Sequence, residues 1–522
     1  MTRATSSLRA HPAAVVTGAI GGLGAMAVMG ATPGSPYQPV LTPSGRPTGP
    51  LRELAVAIGL ADLRGTALIT VSTLIAFAAT GAFLLLLREA FRGHVGVRQI
   101  AVVVVLGHLV LLFVPLLFSR DVYSYSYYGR IAGIYGGNPY LETPLDHSED
   151  PLWDYVGPKW VDTPAVYGPA WTSLSAGLSR LLSRPGDQVA AYRYLAIAAS
   201  LATCAVIVSV VRRRRPERAA FALAAFGANP VVLFHSVASG HNDLFVALAI
   251  AGGLALVLRG RERWAVAVLT LGALIKVTGV LPLALLVLWC VARRPRSERA
   301  HALGVLVAIA AGIGAALSIP YLQWHDPSLG MARLATHEGW LAPSMAFSRV
   351  LEYLTFDVVT FVPRLVFAAI LVTSLVWLGR GVARRGAALT FDGLAAAWGW
   401  ALVLLTLLGP VLLPWYVVWS LPLVWVLPRP ARTLLITTAS LLAVTLWSTE
   451  PLRFPVAFGV DTFLGRWVVT PVMIVLLVRA VRDLRTRLEV GLPLDDDEAV
   501  SAGVGGAPPE PREQVAAGTG EG

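Results

Sequence analysis

The sequence is poor in cysteine and in charged residues, and both shortages exclude classes of protein. Only two cysteines occur among 522 residues, Cys204 and Cys290, and both lie within apolar runs. Two such cysteines provide no disulfide framework, no zinc-binding spacing and no CxxC motif. Charged residues make up 14% of the chain and hydrophobic residues 56%, and the mean hydropathy is +0.66. This composition excludes an ordinary soluble globular protein.

Long apolar runs are the main feature that is present. Runs of about 18 or more residues recur along most of the chain, which predicts an all-α, polytopic integral membrane protein with about 13 to 14 transmembrane helices. The formal net charge is +11, but the basic residues cluster in short runs between the apolar segments. That distribution follows the positive-inside rule and does not indicate a nucleic-acid partner. No internal repeat is evident, which weighs against an inverted-repeat transporter.

The basic clusters predict the orientation in the plasma membrane. Arg212–Arg215 is the strongest cytoplasmic anchor, and the arginines between Arg88 and Arg98 form another. The segment between them, 119–187, is therefore expected on the extracytoplasmic side and both termini in the cytoplasm. The apolar run Pro12–Ala31 is interpreted as an uncleaved first helix, with a cleaved signal peptide as the alternative.

Three regions follow from this topology. Residues 1–98 are expected to form a cytoplasmic stub and a leading transmembrane hairpin, and residues 99–481 a membrane core that contains the loop 119–187. The remainder, 482–522, is acidic and rich in Gly, Ala and Pro, which predicts a mostly disordered cytoplasmic tail.

One polar stretch, Ser119 to Trp171, interrupts the apolar pattern and holds eight of the fourteen tyrosines. If the chain is helical after Asp121, then Asp121, Tyr125 and Tyr128 fall on one helix face. A carboxylate beside a tyrosine face could bind sugar hydroxyls and accept a proton from one of them. The alternative is an interfacial ion pair between Asp121 and Arg120.

A second candidate lies inside an apolar run. Lys276 is near the middle of Trp264–Ala292, which is flanked by basic clusters on both sides and must therefore cross the membrane an even number of times. Two short helices or a re-entrant hairpin, with a break near Lys276, would meet this condition, and broken helices line cavities. A lysine at membrane depth costs roughly 3 kcal/mol and indicates a function. The alternative is a paired or snorkelling structural lysine.

Two further groups have a functional and a structural interpretation. In the turn SGHND, the residues His241, Asn242 and Asp243 could contact substrate or cap the following helix. After the elbow GPVLLP, the rings of Trp415, Tyr416 and Trp419 are typical of the interfacial aromatic belt, and stacking on a sugar is the alternative.

Four motifs together resemble a known family. RDVYSYSYYGR, YGGNPY, DTPAVYGPAW and GHND are similar to those of the bacterial polyprenyl-phosphate-mannose-dependent α-mannosyltransferases, in particular the α-1,6-mannosyltransferases of lipomannan-type glycans. The resemblance covers about 99–481. It implies a GT-C-like helical bundle whose extracytoplasmic loops hold the active site.

The resemblance also implies roles for particular residues. Asp121 matches the general base, and Asp162 is the best match to a second acid, although the two-acid cluster common in such families is reduced here to Asp121. The residues expected to bind substrate are Tyr125, Tyr128, Arg130, Asn138, Asp162, Tyr167, His241, Asn242, Asp243, Lys276, Trp415 and Tyr416. Arg333 and His337 are weaker candidates for contact with phosphate.

The reaction implied is an inverting transfer of mannose from polyprenyl-phosphate-mannose to a mannosylated glycolipid acceptor, with an α-linkage expected to be α-1,6. The expected partners are these two substrates and membrane lipids. No cofactor is expected, because the only DxD spacing, which nucleotide-sugar enzymes use to hold a metal, lies in the tail run Asp495–Glu498. The alternatives are an enzyme of the same class that uses another polyprenyl-phosphate sugar, or a lipid or solute transporter.

Overall fold

Helices make up all the regular structure in the described part of the chain. A computed structural model describes residues 11–39, 49–322, 330, 341–355, 361–445 and 455–495, and no strand occurs among them. The α-helices are α1 (Pro12–Ala31), α2 (Pro50–Ala57), α3 (Gly65–Phe91), α4 (Val97–Val110), α5 (Asp121–Gly133), α6 (Pro169–Leu181), α7 (Pro185–Arg214), α8 (Ala219–Gly227), α9 (Asp243–Leu258), α10 (Glu262–Ile275), α11 (Val280–Ala292), α12 (Arg296–Ser318), α13 (Pro343–Thr355), α14 (Val362–Arg385), α15 (Phe391–Leu408), α16 (Arg429–Val444), α17 (Pro455–Leu464) and α18 (Thr470–Val490).

The prediction of an all-α polytopic membrane protein is confirmed. Within the described residues, seven helices are long and apolar enough to cross a membrane, or eight if a bent pair counts as one span. That pair is Pro216–Gly227, which includes α8, and the π-helix Val231–Val237. The two are bent by 42° across a short break that contains Pro230, which has no backbone N–H to donate. The expected 13 to 14 spans exceed this number, because several predicted spans are shorter helices, among them α9 with 16 residues.

Four helix pairs make the most extensive contacts in the described part of the chain. Helix α5 packs against α6, α9 packs against both α7 and α10, and α1 packs against α3. Helices α6 and α7 both begin with proline, which suits the first turn because that turn needs no backbone N–H donor. Three arginines close α7, where positive charge complements the helix dipole.

Hydropathy predicts one membrane helix over about 99–118, but the helix ends earlier. Helix α4 stops at Val110, a 3-10 turn follows to Phe113, and the chain is then non-helical up to Arg120. Pro115 disfavours helical backbone at Val114 and so ends the helix. Phe118 has a φ of 57°, which a side chain adopts only with strain. The strained residue lies three positions before Asp121.

The apolar run Val417–Leu427 predicts a further membrane span, but this segment is not an α-helix. The chain forms two 3-10 helices there, Pro414–Trp419 and Leu421–Leu423, and their residues are buried. Pro414 and Pro422 lack the N–H that a continuous α-helix would need. This aromatic segment therefore lies inside the protein.

The predicted break near Lys276 is confirmed. Helix α10 ends at Ile275, Lys276 has extended backbone, and α11 starts at Val280 after one 3-10 turn. The predicted tail also begins differently, since α18 continues to Val490 and Leu494 is buried. The rest of the tail, 496–522, lies outside the described residues.

Candidate active site

Asp121 is the first residue of α5 and lies beside groups from three other segments. Its Oδ1 accepts a hydrogen bond from Ser119 Oγ at 3.0 Å, and its backbone N–H donates to the same Oγ at 3.1 Å. Its Oδ2 is 3.4 Å from Tyr167 Oη and 3.6 Å from His241 Nδ1. The side chain is 25% exposed. The carboxylate is therefore held on one side and accessible on the other.

The surroundings adjust the acidity of this carboxyl. Burial raises the pKa of Asp121 to about 6, against the opposing effects of the Ser119 hydrogen bond and the Lys276 ammonium. A carboxyl with such a pKa is largely ionised at neutral pH and still accepts a proton readily. This is the acidity that a general base requires.

The turn before α9 brings a second group of side chains against α5. Tyr125 Oη lies 3.3 Å from His241 Nδ1 and donates to Asn242 Oδ1 at 3.4 Å. Asn242 precedes α9, but its side chain makes no capping hydrogen bond. Gly240 has a φ of 69°, and a Cβ there would lie 2.8 Å from Val122 Cγ1, so this turn requires glycine. The contacts favour a functional role over helix capping.

Asp243 and Lys276 form a buried ion pair. Lys276 Nζ donates to Asp243 Oδ1 at 2.8 Å, and the side chains are 6% and 0% exposed. Trp419 Nε1 donates to the same oxygen, also at 2.8 Å. Asp243 is the first residue of α9, where the helix dipole favours negative charge. Lys276 is thus a paired lysine, and Asp243 is the second acid of this cluster.

Aromatic rings enclose these charges. Trp415 stacks on His241 at 3.8 Å between ring centroids, and Tyr416 stacks on Trp419 at 4.3 Å. Lys276 Nζ lies 4.2 Å from the centroid of the Tyr416 ring, which is cation–π geometry. Trp415 and Tyr416 are 2% and 5% exposed. The expectation that they belong to an interfacial aromatic belt is therefore wrong.

Arg193 hydrogen-bonds to both chain segments that carry the site. This buried arginine of α7 donates to the carbonyls of Val114 and Pro115, which precede Asp121, and to Ala238, which precedes His241. Ser239 Oγ adds a hydrogen bond to the Leu117 carbonyl at 2.6 Å. These links hold the starts of α5 and α9 beside each other.

The YGP motif attaches α6 to the break at Lys276. Gly168 N–H donates to the Ile275 carbonyl at 3.0 Å. A Cβ on Gly168 would lie only 2.0 Å from the Leu274 carbonyl oxygen, so only glycine allows this approach. The preceding Tyr167 then directs its hydroxyl toward Asp121.

Four predicted residues lie outside this cluster. Tyr128 donates to the Thr163 carbonyl at 2.8 Å, Arg130 pairs with Asp150 at 2.6 Å, Asn138 donates to the Tyr321 carbonyl at 3.0 Å, and Asp162 is exposed. These contacts organise the loop. Arg333 and His337 lie outside the described residues.

Two residues of the site were not predicted to belong to it. Ser119 donates a hydrogen bond to Asp121, and Arg193 donates to both chain segments. Trp419, for which stacking on a sugar was the alternative interpretation, donates to Asp243. Only Arg193 had a clear signal in the sequence, because an arginine within a membrane helix indicates a specific partner.

Several buried polar atoms at the site have no protein partner among the described residues. They are His241 Nε2, Asn242 Nδ2, Asp243 Oδ2 and Trp415 Nε1. Buried polar groups are nearly always hydrogen-bonded in proteins. Two donors and two potential acceptors therefore remain for a polar ligand. In the described part of the chain, no three His, Cys, Asp or Glu side chains are grouped to hold a metal ion.

Fold and site together define a polytopic helical membrane protein with a buried carboxylate, lysine and aromatic cluster. The family model described as "Alpha-(1->6)-mannopyranosyltransferase, N-terminal domain" matches residues 18–293, more than half of the chain. The chain belongs to this family and is a glycosyltransferase homologue. The matched range includes Asp121, Asp243 and Lys276.

Individual relatives agree with the family. The chain is 26% identical to "Alpha-(1->6)-mannopyranosyltransferase A" of Mycobacterium tuberculosis over 382 residues, which cover 69% of this chain and 70% of the relative. It is 30% identical over 151 residues to "Alpha-(1->6)-mannopyranosyltransferase B" of Corynebacterium glutamicum, which cover 28% and 25% of the two chains.

Proposed function

We propose that the protein transfers mannose from polyprenyl-phosphate-mannose to a mannosylated glycolipid, forming an α-1,6 linkage. The mannosyl transfer and the linkage are supported by the family and by the names of the relatives. The lipid-linked donor is supported by a site that lies among membrane helices. The observation that carries the proposal is the cluster of Asp121 with Asp243, Lys276 and stacked aromatic rings.

The proposed chemistry is a single inverting displacement. Asp121 accepts the proton of the acceptor hydroxyl while that oxygen attacks the anomeric carbon of the mannose. The bond from the anomeric carbon to the phosphate oxygen breaks, and the polyprenyl phosphate leaves with the electron pair. A β-linked donor then gives an α-linked product, because the attack comes from the opposite face of the sugar.

The departure of the polyprenyl phosphate requires stabilisation of its negative charge. A phosphate is a good leaving group, so stabilising its charge matters more than protonating it. Lys276 is the cation in the cluster, and its pairing with Asp243 fixes its position. The reaction as proposed requires no metal ion or other cofactor.

The site is proposed to face the extracytoplasmic side of the plasma membrane, with both termini in the cytoplasm. The positive-inside rule supports this orientation, because Arg212–Arg215 lies at the far end of α7 from the site. The transporter alternative predicts paired charges within the spans, and Lys276 and Asp243 are such a pair. Membership of a glycosyltransferase family nevertheless favours the enzyme.

Transfer of radiolabelled mannose from polyprenyl-phosphate-mannose in membranes tests the function. Asp121→Asn keeps the size of the side chain and removes the base, so we expect kcat to fall at least about 100-fold. Asp154→Asn, which changes an exposed acid of the same loop, should retain wild-type activity. Full activity of Asp121→Asn would exclude Asp121 as the base. Transfer only from another lipid-linked sugar would show that polyprenyl-phosphate-mannose is not the donor.

A further inference from the structure

His241 lies at the centre of the site, between the carboxylate of Asp121 and the ring of Trp415. The ring is fully buried and stacks on Trp415. Nδ1 is 3.3 Å from Tyr125 Oη and 3.6 Å from Asp121 Oδ2. Nε2 has no protein partner among the described residues. The two nitrogens therefore have different surroundings.

The neighbours of Nδ1 decide which tautomer is favoured. A carboxylate oxygen 3.6 Å away attracts an N–H and repels a lone pair, so the proton belongs on Nδ1. The Tyr125 hydroxyl can then accept from Nδ1 while it donates to Asn242 Oδ1. This single arrangement accounts for the contacts of all four side chains.

The same tautomer leaves Nε2 as a buried acceptor. The neighbouring Asn242 Nδ2 is a buried donor that also has no partner among the described residues. A hydroxyl both donates and accepts hydrogen bonds, so a sugar hydroxyl matches this pair of atoms. A buried acceptor with no partner is rare in proteins and indicates a ligand group.

We infer that His241 acts twice in the proposed transfer. Its Nδ1–H holds Asp121 in the ionised form and orients it, and its Nε2 accepts a hydrogen bond from a hydroxyl of the acceptor sugar. The inference rests on the proposed function for the identity of that sugar. The first role, the effect of Nδ1–H on Asp121, does not depend on which substrate binds.

Two substitutions separate the roles. Asparagine in place of His241 puts an amide N–H near the position of Nδ1 and nothing at Nε2, whereas glutamine reaches the position of Nε2 and loses the donor at Nδ1. The readouts are the acid limb of the profile of kcat/KM against pH and the KM for the acceptor. The titratable groups that face Asp121 are Tyr125, Tyr167, His241, Asp243, Lys276 and Tyr416.

The expected results differ in direction. His241→Gln should move the acid limb to higher pH, because the carboxylate loses the attraction of an N–H dipole 3.6 Å away. His241→Asn should leave the limb in place and raise the KM for the acceptor about tenfold, the usual effect of one lost hydrogen bond. Tyr125→Phe removes the competing acceptor of Nδ1–H and should move the limb to lower pH.

Infrared titration makes the first role measurable without any substrate. The carboxyl band of Asp121 is identified by subtracting the spectrum of Asp121→Asn, and its pKa should rise in His241→Gln and not in His241→Asn. His108→Asn is the matched control, since His108 is also buried but bonds to Ser200 Oγ at 2.8 Å and to the Val104 carbonyl, outside the site. It should leave the pKa of Asp121 unchanged.

Four outcomes would overturn the inference. If the pKa of Asp121 shifts equally in His241→Gln and His241→Asn, His241 has only a structural role. A shift of the Asp121 pKa in His108→Asn would lead to the same conclusion. An unchanged pKa in His241→Gln excludes the first role, and an unchanged acceptor KM in His241→Asn excludes the second. Failure of the wild-type protein to use polyprenyl-phosphate-mannose is a different result, which contradicts the proposed function and leaves the infrared titration decisive for Nδ1.

Discussion

At the scale of single residues, the buried ion pair between Lys276 and Asp243 has an energetic cost as well as a role. Removing two charges from water is expensive, and the attraction between them compensates only when the remaining polar atoms are also satisfied. Asp243 Oδ1 accepts from both Lys276 and Trp419, but Oδ2 has no described partner. The pair therefore serves the site more than the stability of the fold.

The stability of variants tests this interpretation. Lys276→Met leaves Asp243 as an uncompensated buried charge and should lower the free energy of unfolding by about 3 kcal/mol. The double variant Lys276→Met with Asp243→Leu removes both charges and should be more stable than Lys276→Met alone. Thermal unfolding in detergent, followed by circular dichroism, measures both.

An exposed ion pair serves as the control for these variants. Arg294 and Glu298 lie 3.6 Å apart, with side chains 51% and 56% exposed. Because water and salt screen such pairs, Arg294→Met should change stability by less than about 1 kcal/mol. A double variant less stable than Lys276→Met would contradict the proposed cost of the buried pair.

At the scale of elements, the start of α6 connects the polar stretch, Ser119 to Trp171, to helix α10. Gly168 contacts the end of α10, and Tyr167 reaches Asp121 from there. Any side chain at 168 must push α6 away from α10 and withdraw the Tyr167 hydroxyl.

Gly168→Ala should therefore reduce mannosyl transfer more than tenfold, because a displacement of about 1 Å at a catalytic group costs about 100-fold in rate. Gly177→Ala changes another glycine of α6, where a Cβ meets nothing within 4 Å, and should retain activity. The measurement is transfer of labelled mannose at matched amounts of folded protein. Equal activity of the two variants would show that the close approach of α6 is not needed.

Some elements were predictable and others were not, for identifiable reasons. The break at Lys276 follows from basic clusters on both sides of one apolar run. The helix after Asp121 was only a condition for Asp121, Tyr125 and Tyr128 to share a face, and the structure supplies it. The early end of α4 and the 3-10 segment Pro414–Trp419 were missed. Their residues are as apolar as those of a membrane helix, and hydropathy alone does not register the effect of Pro115 or Pro414 on backbone hydrogen bonding.

At the scale of the whole molecule, α7 extends from the site to the arginine cluster, and its length gives the distance between them. Arg193 bonds to the segments of the site, and Arg213 lies 20 residues further along the same helix. At about 1.5 Å per residue this separation is about 30 Å, the thickness of the hydrocarbon core of a bilayer. The polar loop and the arginine cluster are thus expected on opposite membrane surfaces.

Labelling of single cysteines in intact cells tests this orientation. Leu145 is exposed in the polar loop, and Arg213 is exposed in the arginine cluster. A membrane-impermeant maleimide should modify Leu145→Cys in intact cells and Arg213→Cys only after the cells are opened. The native Cys204 and Cys290 are buried, so the unmodified protein should give little background. The reverse pattern would invert the proposed topology.

The sequence by itself determined that the protein is helical and lies in a membrane, and it indicated Asp121, the GHND turn and Lys276 as candidates. Composition and local spacing carry this information, because hydropathy and helical periodicity act over neighbouring residues. Only the tertiary structure decided the partners. Lys276 pairs with Asp243 across 33 positions, Tyr125 meets His241 across 116, and Trp419 meets Asp243 across 176. Such contacts depend on how helices pack, which local patterns do not encode.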